Sequence, residues 1–505
     1  MITHLVDFTV ALMDEALRAN CLSILLAIAS SVILVKSWSC LQKPHGRYPP
    51  GPQPKLIIDN LFDIPKDHAA RKYLEMGKKY RSDIIHLSAF GQHIIVLNKL
   101  ALAEELLERR AHIYSGRLEA PPMKLMGWDH NFALLDYGPA WQRHRRVAQQ
   151  YFTREASKRF EPVQLYRVRK VLLHGLLHFP EKFDILNKLL SVSIPLDMMY
   201  GYDASSLDDP VVVAATKSFN IGGPLMSSSG SMMNIFPLLR HVPSWFPGAT
   251  SQSKSAEVAR LTREVKRIPM EDLKRRMASG NASPSLVYDF LENKITTGAS
   301  EEDEKIINNI AYTVYGGAAD TTISATASFF YLMAANPDVQ KRAQVEIDRV
   351  IGAENRLPDF RDRPALPYVE AVYRELLRYQ PPDGLGISHL LSEDDYFKGY
   401  FIPKGSLVFG NIWAMTHDPE VYKSPHEFQP KRFLDENGTL NGDERVLAYG
   451  FGRRVCVGQH VASSTTWMTI VSVLAAFKIE RARDELGNEI PLDDEFADDG
   501  IVWYR

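Results

Sequence analysis

Cysteine is scarce in this sequence: three in 505 residues, Cys21, Cys40 and Cys456. So few, and an odd number, exclude a disulfide-built scaffold and place the bulk of the chain in a reducing compartment. A charge surplus is missing too. Lys plus Arg number 59 and Asp plus Glu 61, a formal net charge of −2. Broad nucleic-acid binding is thereby excluded, because neutralising phosphates takes an excess of cations. With 45% hydrophobic and 24% charged residues, the chain is neither disordered nor collagen-like. No period of 20–50 residues recurs, which excludes solenoids and propellers. Neither a P-loop nor a Gly-x-Gly-x-x-Gly after a strand is present, so no nucleotide-binding unit is fused to it. No long Gly/Ser linker or charge block interrupts residues 55–505. One large domain fits that span better than the three that length alone suggests.

Long apolar runs are scarce as well. The uncharged stretch 21–35, CLSILLAIASSVILV, spans about 22 Å as helix, short of the roughly 30 Å hydrocarbon core. Carried through a snorkelling Lys36 to Leu41 it reaches about 31 Å, with Trp38 near the headgroups. The first twenty residues hold Asp7, Asp14, Glu15 and one basic residue, Arg18, unlike the basic start of a secretory signal. Lys36, Lys43, Arg47 and Lys55 follow, and the positive-inside rule puts that side in the cytosol. The expectation is a short luminal segment 1–20, an uncleaved transmembrane anchor 21–41 and a Pro-rich hinge 42–54. Tyr48-Pro49-Pro50-Gly51-Pro52-Gln53-Pro54 stiffens that hinge.

The body reads as mainly α with minor β. Residues 83–98 suggest a hairpin around Phe90-Gly91-Gln92. A second strand-rich stretch runs from Gly386 to Asn411, with turns at Asp394-Asp395 and Pro403-Lys404-Gly405. Asp338–Ile351 places Val339, Ala343, Ile347, Val350 and Ile351 on one helix face. A longer helix runs from about Glu302 to Ala335.

Residues 449–458 read Tyr-Gly-Phe-Gly-Arg-Arg-Val-Cys-Val-Gly, ahead of an apolar, helix-like run. A cysteine thiolate can bind a haem iron and push electron density onto it, favouring O–O cleavage. It needs a water-poor site with N–H groups aimed at the sulfur. Glycines allow the tight loop, Arg454 can neutralise a carboxylate such as a haem propionate, and the following helix lends its positive end to the sulfur. Cys21 and Cys40 keep the reading of small apolar side chains. Glu375-Leu376-Leu377-Arg378 puts a Glu and an Arg on one helix face, alone worth under about 1 kcal/mol as a surface pair. Pro430-Lys431-Arg432-Phe433 lies downstream. Gly317-Ala318-Ala319-Asp320-Thr321-Thr322 is poor helix-interior material and suggests a functional kink. There Thr321 could hydrogen-bond dioxygen and Asp320 relay protons. Trp141 and Arg145, four apart in AWQRHRR, share a face.

The 449–458 spacing resembles the haem-binding signature of cytochrome P450, Phe-x-x-Gly-x-Arg-x-Cys-x-Gly. Tyr449 stands for the usual Phe, and its hydroxyl needs a partner or water. The other groups resemble that family's landmarks in the right order, over roughly residues 48–502. The chain is most similar to fungal membrane-bound members, especially the basidiomycete group of secondary metabolism and xenobiotic oxidation. The resemblance implies the P450 fold around haem b, with Cys456 as axial ligand in a loop shaped by Tyr449, Gly452 and Gly458. It implies Trp141, Arg145 and Arg454 as propionate contacts. His389, after Leu385-Gly386-Ile387-Ser388, is either a further contact or structural. Asp320 and Thr321 would manage protons, and Glu375, Arg378 and Arg432 would form a buried bracing triad.

Electrons would come from NADPH through a separate NADPH–cytochrome P450 reductase, with cytochrome b5 as a further donor. Arg143, His144, Arg146 and Arg453 would face outward, either as a basic patch for that acidic partner or as plain solvated charge. The resemblance further implies a single-pass protein of the endoplasmic reticulum membrane, in contact with lipid. It would insert one oxygen atom into an apolar small molecule. Pocket walls would come from the loop Arg117–Asn131, the stretch Phe219–Phe246, the helix Val314–Thr321, and Leu385–Ile387. Ala318 departs from the family's usual Gly and Lys431 from its usual Glu. The haem domain also looks shortened at its C-terminus, leaving Val502 without its usual pairing strand. Two rival readings follow: an inactive haem-binding relic, and a haem-thiolate isomerase needing no reductase, which the presence of both Asp320 and Thr321 argues against. The sequons at Asn281 and Asn437 would stay unmodified in a cytosolic body.

Overall fold

The computed structural model describes residues 46–55, 58–226, 230–493, 496–498 and 503–504. The expected anchor falls in residues 1–45, outside the described residues. Among the described residues no helix is long and apolar enough to cross a membrane.

Helices dominate, as the sequence suggests. Strands β1 (Ile84–Ala89) and β2 (Gln92–Leu97) form the expected hairpin. Its turn is Phe90-Gly91, with φ of 49° and 82°, the left-handed pair whose twist suits a two-residue hairpin. The 386–411 stretch holds β3 (His389–Leu390), β4 (Asp395–Phe397), β5 (Tyr400–Ile402) and β6 (Leu407–Gly410). The first sheet runs β1-β2-β6-β3, with β2 and β6 parallel. Strands β4 and β5 turn at Lys398-Gly399 and not at Asp394-Asp395. Asp395 instead begins β4 and accepts from Tyr114 Oη at 2.8 Å and Arg110 Nη1 at 2.9 Å.

The Pro-rich hinge lies against this sheet. The His86 N–H donates to Pro50 O at 2.9 Å and the Phe401 N–H to Arg47 O at 2.9 Å. Tyr48 stacks on His86 at 4.8 Å.

Seven helices position the site: α1 (Pro139–Phe152), α2 (Pro210–Met226), α3 (Thr250–Ala278), α4 (Glu301–Ala335), α5 (Pro337–Ile351), α6 (Pro367–Tyr379) and α7 (Gln459–Ala476). Helix α4 starts at a capping box in which Ser300 and Asp303 satisfy each other's backbone N–H. Glu301, Glu302, Asp303 and Glu304 fill its first turn, where the helix dipole favours anions. It ends at Asn336, since a residue before proline is driven out of the helical region. Helix α7 is buried all round from Thr465 to Leu474, the mark of an internal helix. It packs with α4 and α6 around Trp467, Phe329, Leu332, Leu376 and Ile470. Each large apolar side chain so buried contributes about 1.5–3 kcal/mol.

Near the chain end, β7 (Ala497–Asp498) pairs antiparallel with β8 (Trp503–Tyr504). The expected gap in pairing concerned Val502, which lies outside the described residues, yet this edge does carry a paired strand.

Candidate active site

Cys456 sits between a tight turn at Gly452–Arg454 and the start of α7. Its N–H donates to Tyr449 O at 2.9 Å and closes the loop. Gly452 has φ 54°, and a Cβ there would stand 2.1 Å from the Leu107 carbonyl oxygen. Leu107 belongs to a π-helical turn, Glu104–Arg109. Arg445 holds that turn through Glu104 at 2.5 Å and Glu108 at 2.8 Å. Burial pushes the Cys456 thiol up, while the Gly458 N–H and the Arg145 guanidinium pull it back. By surface area, however, Cys456 is exposed. Both statements hold when the free face of a deep thiol is turned inward.

Two guanidinium groups flank the loop. Arg145, on α1, donates from Nη1 to Val455 O at 2.8 Å, and its Nε is buried without a partner. Arg454 donates from Nε to Ser115 O at 2.8 Å and from Nη2 to Leu135 O at 2.9 Å, and its Nη1 is buried without a partner. Burial brings Arg454 down to about 10. Its guanidinium lies 4.5 Å from the ring of the buried Trp141. A buried N–H left without an acceptor costs about 1–3 kcal/mol, and two such groups beside one cysteine suit a carboxylate. A third guanidinium, Arg117, carries no motif and marks only the edge of a pocket loop in the sequence. It is 6% exposed and donates to Ile387 O at 2.8 Å and to Ala133 O at 3.2 Å. Burial first, and then Arg454, push it down to about 9.

His389 is also buried here. Its Nδ1 contacts Tyr114 O at 2.7 Å, and since a carbonyl only accepts, Nδ1 carries the proton. Burial, Arg117 and Arg454 push its pKa down to about 3. The neutral ring therefore offers Nε2 as an acceptor and no second N–H.

Helix α4 turns Val314, Gly317, Ala318 and Thr321 to one partly open face, while Tyr315, Ala319 and Thr322 are buried opposite. A Cβ on Gly317 would meet no atom within 4 Å. The Thr321 hydroxyl donates to Gly317 O at 2.7 Å. That bond absorbs the hydroxyl within the helix, and α4 runs as helix without a break through 317–322. Asp320 is half-buried, and its charge reaches the Tyr315 phenol. Behind that face, toward α2, the packing is aromatic. A Cβ on Gly316 would approach the Phe219 ring at 2.8 Å, and one on Gly222 the Trp128 ring at 2.5 Å.

A thiol turned inward, buried nitrogens awaiting carboxylates and a glycine face with open space form a donor set that fits haem and its two propionates. The family model for cytochrome P450 matches residues 49–494. The chain belongs to the cytochrome P450 family.

Its relatives are P450s of basidiomycete fungi. It is 36% identical over 500 residues to cytochrome P450 monooxygenase 98 of Postia placenta, covering 98% of this chain and 95% of the relative. It is 37% identical over 458 residues to cytochrome P450 monooxygenase COX2 of Coprinopsis cinerea, covering 89% and 86%. It is 36% identical over 457 residues to tryptamine 4-monooxygenase of Psilocybe cyanescens, covering 89% of each. This P450 is accordingly a haem-thiolate monooxygenase.

The remaining sequence landmarks of the P450 lie away from the open face. Glu375, with no exposed surface, takes Arg378 in a two-pronged contact at 2.7 and 2.8 Å and Arg432 Nε at 3.1 Å. Arg378 also donates to Thr416 O and Pro425 O, and Arg432 to Lys423 O. The three residues thus tie α6 to the segments leading into the cysteine loop. One expected surface residue is misplaced: His144 is buried and does not face outward. Trp141, His144, Ala148 and Phe152 form the inner stripe of α1, a spacing that could have been read from the sequence. His144 Nδ1 donates to Ala140 O at 2.8 Å, and its Nε2 meets Asn309 of α4 at 3.3 Å.

Proposed function

We propose that this P450 inserts one oxygen atom from dioxygen into an apolar small molecule, using electrons from NADPH delivered by a separate flavoprotein reductase. The observation that carries this reading is the inward Cys456 thiol flanked by the unpaired Arg145 Nε and Arg454 Nη1. Haem bound there would supply the iron centre at which dioxygen is activated. The protein's own residues do the rest. Cys456 holds the iron, Arg145 and Arg454 bind propionate, and Trp141 braces the Arg454 guanidinium. Thr321 keeps a hydroxyl oxygen available at the open face while its proton is held on Gly317 O, and Asp320 stands one residue away as the proton source. Neutral His389 assists a propionate only after taking up a second proton.

An apolar substrate is supported by Val314 and the open space over Gly317 on the partly open α4 face. One relative's name, tryptamine 4-monooxygenase, is compatible with a flat aromatic ring over that open glycine. A membrane setting is supported by the surface at 236–246, where Leu238 is 82% and Trp245 80% exposed, with Phe236 and Phe246 beside them. Exposed apolar patches of this kind suit a lipid surface. A cavity of about 210 Å³ opens next to it, lined by Met123, Leu135, Arg240 and His241, a route for a substrate dissolved in lipid. Electron delivery by an acidic partner is supported by exposed Arg146 and by Arg453, which donates to Tyr137 Oη at 2.6 Å. Arg143 is already paired with Asp303 at 2.8 Å.

The test is the reduced carbon monoxide difference spectrum of the membrane-expressed chain, followed by turnover with NADPH and reductase. A thiolate-type band and an oxygenated product are expected. Loss of that band in Cys456→Ser confirms the ligand. A band without any product favours the relic, and product without NADPH favours the isomerase.

A further inference from the structure

Two consecutive arginines of the cysteine loop part company. Arg454 turns inward, with Nη1 buried and without a partner, while Arg453 is exposed. One short segment ahead of α1 receives them both. Leu135 O accepts from Arg454 Nη2 at 2.9 Å, and Tyr137 Oη accepts from Arg453 Nη1 at 2.6 Å. Between these two, Asp136 Oδ1 accepts the Arg117 N–H at 2.9 Å. Tyr137 is half-buried and directly precedes Gly138, the N-cap of α1. A residue in that place that packs on the first helical turn fixes the angle at which the chain enters the helix.

Rings join the same groups a second time. The Arg453 guanidinium lies 5.2 Å from the Tyr137 ring centre, and the Tyr137 and Trp141 rings are 5.2 Å apart. The Trp141 ring in turn lies 4.5 Å from the Arg454 guanidinium. Both cations stand within the distance of about 6 Å at which an aromatic ring attracts them, and the ring pair has an ordinary aromatic spacing. Arg453, Tyr137, Trp141 and Arg454 thus form one column from solvent to the inward nitrogen. Arg454 is held by the Leu135 carbonyl and the Trp141 ring, both on the stretch 135–141. The Tyr137 hydroxyl fastens that stretch back to Arg453, the residue next to Arg454.

We propose that Tyr137 is a positioning residue for haem: with Arg453 it forms an outer clasp that, through Trp141 and Leu135, keeps Arg454 Nη1 aimed at a propionate and slows haem release. Supporting groups of this kind orient the residues that hold a metal centre. With the clasp open, the Trp141 ring tilts and the Arg454 guanidinium swings away from the carboxylate. A cation near haem favours the added electron, so the same movement makes the ferric form harder to reduce. The inference rests on the haem-thiolate reading of Cys456.

The test follows haem transfer from the full-length, haem-loaded protein to an excess of haem-free myoglobin. Tyr137→Leu releases haem about tenfold faster, since a ring pair and a cation contact are lost together. Tyr137→Phe keeps the ring and loses only the hydroxyl, so release quickens about twofold to threefold. Arg453→Ala does at least as much, and the two combined are no faster than Arg453→Ala alone, because both cut one bond. At one fixed potential near the wild-type midpoint, the ratio of reduced to oxidised haem in Tyr137→Leu falls about twofold. If Tyr137→Leu takes up no haem, Tyr137→Phe and Arg453→Ala decide. Release at the wild-type rate in the variants, or single effects that simply multiply in the combined one, overturns the proposal. So does faster release with the ratio unchanged, the signature of a merely structural loss. Absence of the thiolate-type band in the wild-type protein overturns the haem-thiolate reading and this inference with it; its presence with unresponsive variants overturns this inference alone.

Discussion

Residue 452 is chosen by a backbone atom. The Leu107 carbonyl oxygen occupies the place of a side chain, and φ 54° adds strain for any residue with a Cβ. Gly450 has φ 77° but nothing within 4 Å of its Cβ position. At ψ −160° Gly450 lies in a region essentially reserved for glycine, so Gly450→Ala should cost backbone strain of about 1–3 kcal/mol without a clash and keep most of its haem. Gly452→Ala must also move the π-helical turn, and its haem-to-protein absorbance ratio should fall well below that of Gly450→Ala. Equal ratios would show that the Leu107 contact is soft. At this scale the sequence is legible where a motif pins chemistry to spacing: Cys456, Arg454, Thr321 and Glu375 all stand out. Arg117 is not legible, because its neighbours Ile387, Ser388 and Arg454 come from distant parts of the chain. The basic neighbours of His144 suggest a solvated face, whereas its spacing from Trp141 and Ala148 places it inside.

Among elements, helix α6 depends on Glu375. Removing its charge leaves Arg378 and Arg432 buried without a counter-ion, and breaking such a pair costs about 3–5 kcal/mol. Glu375→Gln should lower the urea midpoint of the haem-free protein, whereas the exposed Lys431→Glu should leave it within about 0.5 kcal/mol. A Glu375→Gln midpoint equal to wild type would mean that the carbonyls around the two arginines suffice. Long periodic helices and the Phe90-Gly91 hairpin were readable from local sequence. The Lys398-Gly399 turn was hidden behind an Asp-Asp pair whose Asp395 serves Tyr114 and Arg110 and whose Asp394 accepts the Lys404 N–H. The π-helical turns at Glu104–Arg109 and Val168–Leu173 leave no mark on hydrophobic spacing, since tertiary contacts such as the Arg445 fork define them.

For the molecule as a whole, buried histidines tie stability to acidity. His389 and His417 are both buried. Burial first, then Arg117 beside one and Arg378 beside the other, take each from the ordinary value near 6.5 down to about 3. Between those values the unfolded chain binds protons that the native protein refuses. Stability is then fully present above about pH 6.5 and is lost as pH falls toward 3. Two such rings give a slope of up to about 2.7 kcal/mol per pH unit in that window. The urea midpoint should be level from about pH 8 to 7 and fall steeply from about 6 to 5. A level midpoint down to about pH 5 would mean that the rings are charged in the native state.

The glycines of this P450 differ in what history can do with them. Gly316 and Gly222 are guarded by the Phe219 and Trp128 rings, and a smaller partner could make room for a bulkier residue at either place. Such pairs can drift together and repack the core between α2 and α4. Gly452 is guarded by a main-chain oxygen, which no point substitution can trim. A lineage, or a laboratory library, can therefore remodel this aromatic packing by paired replacements while position 452 stays closed to compensation.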